Sequence, residues 1–316
     1  MAKVLAIGGA GFIGSHIVRS LLGLGHTVTV VDDFSRYGYL SYDFYASERL
    51  TLVKKDVRDL PAGKFTGYDC ILCLAARAGG VRYLDTNAFS VMKDNTEILL
   101  HAINSAHTSS PHAVFYFFSS SMVYDGGRMA PSTSYGLQKL YGEFLVKSSY
   151  AQQGLSYVIV RPFNAVGAGE MVVPGSDGKV EYGMSHVLPD FVYKAILRQT
   201  PFEILGDGDQ VRTFTHVDDI ADAVVLMIEQ GTKNDDFDLC GKEHLTIGSL
   251  ARRVWKSVHA DIEFPIQLYI PAPATDVRSM QGTYEKAREK LGWEPRRTID
   301  DMIADTIGFI RKHIKF

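Results

Sequence analysis

The stretch KVLAIGGAGFIGSH at residues 3–16 constrains the chain more than any other. A short apolar run enters a glycine-rich turn, and the turn opens directly into the amphipathic stretch FIGSHIVRSLLGLG. The same alternation recurs through the first half. Candidate strands fall at 3–9, 27–32, 51–56, 70–75, 113–119 and 157–162, with helical patterns between them. These strands are apolar nearly throughout, so both of their faces must be covered. Short buried strands separated by helices predict an α/β fold with a doubly wound parallel sheet.

The turn itself carries chemistry. Gly8, Gly11 and Gly14 are spaced GxxGxxG, with Phe12 and Ile13 between the last two. Small residues here permit a tight turn, close backbone approach to a pyrophosphate, and close helix–strand packing. The free N–H groups of the helix start then meet the anion. Asp32 closes the second candidate strand, where a carboxylate can accept hydrogen bonds from both ribose hydroxyls. It would repel a 2′-phosphate, so a Rossmann-type domain binding NAD rather than NADP is expected. Arg36 is the residue that would favour NADP. Asp56 follows the third strand, as an adenine contact or as a helix cap.

Composition narrows the function classes. The 316 residues are 46% hydrophobic and 22% charged, ordinary for a large globular chain. A net charge of -3 provides no basic field for nucleic acid. No apolar run is long enough for a membrane span. The N-terminus enters a strand pattern directly, without a signal-peptide pattern, and a cytoplasmic location is expected. Cys70 and Cys73 form a CxxC inside an apolar strand, where positions i and i+3 face opposite ways. No metal site is expected from them or from the ten scattered histidines.

After about residue 165 the rhythm breaks into Gly-rich and turn-rich sequence. ADAVVLMIEQ and FDLCG read as a helix and a final strand returning to the first unit. The expected organisation is an NAD-binding domain at 1–165 with a return segment at about 216–240. Residues 166–215 and 241–316 would form a smaller, discontinuous substrate domain.

Two hydroxyl-rich segments stand between these parts, SSSMVY at 119–124 and STSYGLQK at 132–139. Tyr135 and Lys139 are four apart and share one helix face. A free tyrosine, with a pKa of about 10, is not a base at neutral pH. A nearby ammonium and a nicotinium ring would both favour the phenolate.

Joined to this YxxxK, the GxxGxxG spacing resembles the extended short-chain dehydrogenase/reductase family, and nearly the whole chain resembles its nucleotide-sugar epimerase and dehydratase branch. LAARAGGVRY, with Ala75 and Ala76, is similar to the nicotinamide-side loop, and Asn95 stands at the family's helix Asn. RPFNAVG with Asn164, ILGDGDQVRTFTHVDDI and EKLGWEP resemble further motifs of the branch. The resemblance implies bound NAD, a nucleotide diphosphate sugar (UDP-linked in the closest reading) and a homodimer. The dimer would form through the helices carrying Tyr135–Lys139 and Asn95. It implies a catalytic set of Tyr135, Lys139 and Ser120, the hydroxyl three before the VY pair. Arg212 and Arg278 would hold the diphosphate, and Asn164, Ser121 and Met122 would face substrate or cofactor. His216 is expected to be structural, bonding across the domain joint.

In the branch's 4,6-dehydratases an Asp–Glu pair precedes VY, for the C6 oxygen and the C5 proton. Here Ser121 and Met122 fill those slots. A thioether cannot transfer a proton, so 4,6-dehydration is disfavoured. A 4-epimerase needs only the tyrosine, the hydroxyl and a sugar free to turn over. A 5,6-dehydratase would lose water after C4 oxidation and return hydride to C4, leaving an exocyclic alkene. The whole chain, including the Met-containing segment, resembles the UDP-N-acetylglucosamine 5,6-dehydratases of tunicamycin antibiotic biosynthesis, and that reading is preferred on resemblance. The residues alone leave 4-epimerisation of a UDP-hexose or UDP-hexuronate level with it or ahead. A non-catalytic NAD-binding regulator is the remote alternative.

Overall fold

The computed structural model describes residues 1–172 and 185–314. The chain runs β1 (Lys3–Ile7), α1 (Phe12–Gly23), β2 (Thr27–Asp32), β3 (Leu50–Lys54), β4 (Cys70–Cys73), α2 (Val81–Thr86), α3 (Ala88–Ser109) and β5 (Val114–Phe118). It continues through α4 (Ser134–Gln153), β6 (Tyr157–Pro162), β7 (Ala165–Val166), α5 (Val187–Ile196), β8 (Phe202–Leu205), β9 (Val211–Thr213) and β10 (Thr215–His216). Then follow α6 (Val217–Glu229), β11 (Asp235–Leu239), β12 (His244–Thr246), α7 (Ile247–Val258), β13 (Gln267–Ile270), β14 (Ser279–Met280), α8 (Glu285–Leu291) and α9 (Ile299–His313).

Seven strands form one sheet in the order β11-β6-β5-β4-β1-β2-β3. Every pairing in it is parallel. Side chains alternate faces along each strand, as a period of two requires. Val4 and Ala6 pack with α1, α6 and α8, through Ile17, Leu21, Val224 and Leu291. Leu5 and Ile7 pack with α3 and α4, through Leu99, Ile103 and Val146. Cys70 belongs to the first of these cores and Cys73 to the second, so the two thiols face apart as their spacing required. Burial pushes both thiols up to about 12.

The strand order reverses between β1 and β4, the point at which parallel sheets of this kind open a crevice beyond their carboxyl ends. A separate core of Phe191, Phe202, Leu250, Trp255, Met302 and Ile303 joins α5, α7, α9 and β8. The expected final strand, FDLCG at 237–241, forms two residues earlier as β11 at the edge of the large sheet, and β12, β13 and β14 follow it. They pair in small sheets with β9 and β8. These strands are two to four residues long, too short for periodicity to announce them. Among the described residues no helix is long and apolar enough to cross a membrane.

Candidate active site

At the crevice, the glycines act through close approach. Gly8 has φ +81°, and a Cβ on it would lie 2.5 Å from the Ala75 nitrogen. A Cβ on Gly14 would lie 2.4 Å from the Gly8 carbonyl oxygen. These contacts are with backbone, so only glycine brings β1, α1 and the loop after β4 this close. Gly11 is the residue preceding α1, and Phe12 and Ile13 start the helix and line the cleft. Asp32 accepts hydrogen bonds from the Ala10 and Phe34 N–H groups, at 3.0 and 2.9 Å. Burial pushes its carboxyl up, and those two N–H groups oppose the shift. A cradle free of Cβ atoms, a helix start and a carboxylate at the strand end fit the pyrophosphate and ribose of NAD. Arg36 donates to the Ala78 carbonyl in the loop after β4.

The loop after β4 is pinned from below. Ala75 N–H donates to the Ile7 carbonyl, and Ala76 follows it. Asn95 is buried on α3, accepting from Arg77 N–H at 2.6 Å and donating to the Arg77 carbonyl at 3.0 Å. The Asn signal therefore marks a residue that shapes this loop. Asp56 caps a short 3₁₀ turn, accepting from Arg58 N–H and pairing with its guanidinium.

Helix α4 delivers the tyrosine and lysine. It begins because Thr133 caps it, accepting from Gly136 N–H at 2.9 Å, and it stops at Gly154 in the left-handed region. Tyr135 stands in the cleft wall and Lys139 is buried one turn on, its Nζ 5.6 Å from the tyrosine ring centroid. Lys139 donates to the Phe118 carbonyl at 2.8 Å. Burial raises Tyr135 to about 12, partly offset by the Arg36 charge, and lowers Lys139 to about 8. Without cofactor, Tyr135 is thus a neutral phenol.

The hydroxyl segment sorts its serines. Ser119 is buried and donates to Glu143 at 2.6 Å. Ser120 lines the cleft and accepts from Met122 N–H at 3.1 Å. Ser121 donates to the Met280 sulfur at 2.9 Å. Met122 lines the cleft and packs on the apolar cluster of Phe163, Cys240, Val277 and Met280. Gly136, which sequence reasoning passed over, holds this segment against α4. A Cβ there would lie 2.1 Å from the Met122 carbonyl oxygen.

These walls enclose a cleft of ≈ 320 Å³. Asn164 lines it with φ 36°, donating to the Thr213 carbonyl at 2.7 Å. Arg212 lines it too, paired with Asp276 at 2.8 Å. Arg278 is not in the lining. It is exposed and paired with Asp207 and Asp209. Lys194, Asp276 and His186 also stand in the wall without a motif to announce them; Lys194 pairs with Asp190 one turn earlier on α5, whereas Asp276 and His186 have partners distant in the chain. His216 caps α6 and contacts Asp305 of α9 at 3.0 Å, tying two helices together.

Known proteins share this architecture across different reactions. GDP-mannose 3,5-epimerase 1 of Oryza sativa subsp. japonica is 27% identical over 328 residues, covering 99% of this chain and 82% of its own. The structure of UDP-glucose 4-epimerase from Thermotoga maritima with UDP-glucose has a TM-score of 0.82 and 26% identity, covering 98% of this chain and 99% of its own. The structure of dTDP-glucose 4,6-dehydratase from Streptomyces venezuelae, with NAD bound, has a TM-score of 0.86 at 23% identity. It covers 98% of this chain and 97% of its own, and carries the likeness of fold. Residues 4–240 match the NAD dependent epimerase/dehydratase family, and the chain belongs to that family.

Proposed function

We propose that the protein removes water across C5–C6 of a UDP-N-acetylhexosamine, by way of a transient 4-ketone. The observation that carries this reading is the retained Tyr135–Lys139 pair beside a wall where Ser121 and Met122 engage Met280 and its apolar neighbours. NAD, when bound, supplies the hydride acceptor at C4 and a positive ring beside the phenol. Tyr135 takes the proton of the C4 hydroxyl as the ketone forms, and returns it when the alcohol is restored. Ser120 holds the C4 oxygen. Lys139 supplies positive charge behind Tyr135 and favours its phenolate. The ketone acidifies the C5 hydrogen, and the C6 hydroxyl leaves as water. No acid stands at Met122 to protonate C5, so the alkene survives.

Gly8, Gly11, Gly14 and Asp32 hold the cofactor, and Arg212 and Asn164 hold the nucleotide diphosphate sugar. The residues at 1–165 and 216–240 act as the cofactor unit, and the remainder as the substrate unit. Epimerisation at C4 is the second reading. It is favoured by the apolar packing of Met122, which leaves a rotating sugar unhindered by charge, and by the 4-epimerase likeness. Incubation with UDP-N-acetylglucosamine in deuterated water, followed by mass and proton NMR, decides between them. Loss of one water and of the C5 hydrogen is expected. A product of unchanged mass with C5–H intact would overturn dehydration.

A further inference from the structure

Dehydration needs a group to take the C5 proton and one to protonate the leaving oxygen. The usual slots hold Ser121 and Met122. Resting on the dehydratase reading, we infer that His186, oriented by the buried carboxylate of Glu170, does both.

Glu170 lies beyond β7 and is 1% exposed, while the His186 side chain is 44% exposed at the cleft. One oxygen of Glu170 engages the His186 Nδ1. The other is buried without a hydrogen-bond partner among the described residues. A buried carboxylate that engages one imidazole nitrogen fixes that ring's orientation. His186 occupies the N-cap position of α5, yet its side chain makes no cap hydrogen bond. The ring is therefore not used to finish the helix. With Nδ1 held by Glu170, Nε2 is left for chemistry, in the cleft that Tyr135, Ser120 and Met122 also line.

The step balances on one residue. The Nε2 lone pair takes the C5 proton, and the C5–H electron pair becomes the C5–C6 π bond. The C6–O pair departs with the hydroxyl, which receives the proton from the imidazolium and leaves as water. His186 ends neutral, ready for the next cycle. C6 is exocyclic and turns freely, so one group can reach both the C5 hydrogen and the C6 oxygen. This removes the need for the carboxylate pair.

The test uses His186→Ala and Glu170→Gln in deuterated water with UDP-N-acetylglucosamine. For His186→Ala, alkene formation and C5 hydrogen exchange should fall by about 10²–10⁴-fold, the range for loss of a positioned acid–base group. Reduction of bound nicotinamide in a single turnover should persist, showing that the variant folds and still oxidises C4. Added imidazole should restore part of the exchange. Glu170→Gln should give a smaller loss of the same kind. Alkene formation by His186→Ala within about threefold of wild type would overturn the inference, because a positioned base contributes far more than that. Equal loss of C4 oxidation and C5 exchange would overturn it too. A wild-type enzyme that releases no water would instead sink the dehydratase reading itself, before any variant is compared.

Discussion

Lys139 sits one helical turn beyond Tyr135, with its Nζ 5.6 Å from the tyrosine ring centroid and bonded to the Phe118 carbonyl. The ammonium is buried, and its pKa falls from 10.5 to about 8. Below about pH 8 the folded and unfolded chains both carry the proton, and the folded chain bears the whole burial penalty. Between 8 and 10.5 the folded chain releases its proton first, so this penalty is relieved as pH rises. The shift is worth on the order of 3 kcal/mol. Ligand-free Lys139→Met should therefore unfold at higher temperature than wild type at pH 7 in calorimetry. The gap should narrow above pH 8, and turnover should be lost.

Gly136→Ala tests the spacing between α4 and the hydroxyl segment. Its methyl would meet the Met122 carbonyl, so the two must part. A displacement of about 1 Å at a reacting group can cost roughly 10²-fold in rate. Turnover should fall by that order, with NAD still bound in fluorescence titration.

Met122→Glu places an acid where the thioether stands. Some flux should move to a 4-keto-6-deoxy sugar, seen by NMR as a new C6 methyl signal. Met122→Ala should keep C4 oxidation, while Tyr135→Phe should abolish all steps by at least about 10²–10⁴-fold. An unchanged product from Met122→Glu would show that this slot does not face C5.

Helices α3 and α4 expose Phe89, Leu137, Tyr141 and Phe144, with Phe144 61% exposed. Exposed aromatic and aliphatic side chains on these two helices suit a partner copy. Sedimentation should give a dimer at micromolar concentration and a monomer for Phe144→Glu.

Arg161 and Glu143 form a buried pair with two 2.7 Å contacts, and Asp236 and Asp238 add to it. Removing Glu143 leaves the Nε and Nη2 of buried Arg161 without their carboxylate, with only Nη1 still held by Asp236 and Asp238. Glu143→Ala should lower unfolding free energy by about 3 kcal/mol in urea titration. It also removes the acceptor of Ser119, so the segment carrying Ser120 should loosen.

The glycine turn, Asp32 and Tyr135–Lys139 were legible in the sequence because each is a local pattern. A turn followed by a helix, a strand end, and one helix face are fixed by neighbours within a few residues. Asn95 was legible as a signal, but its work of holding Arg77 was not. RPFNAVG read as a site loop, yet its arginine is spent on Glu143, 18 residues earlier. Gly136 against Met122, Arg212 against Asp276 and His186 against Glu170 are pairings across 14, 64 and 16 residues. Periodicity reports which face of its own element a residue occupies, and says nothing about which distant segment that face will meet. Those partners are chosen when the parallel sheet stacks its helices and the second core closes over the strand ends. Local pattern was enough to place the glycine turn before α1 and to put Tyr135 and Lys139 on one face of α4. What Met122 packs against, and that His186, engaged by buried Glu170, lines the same cleft, came from contacts between segments far apart in the chain.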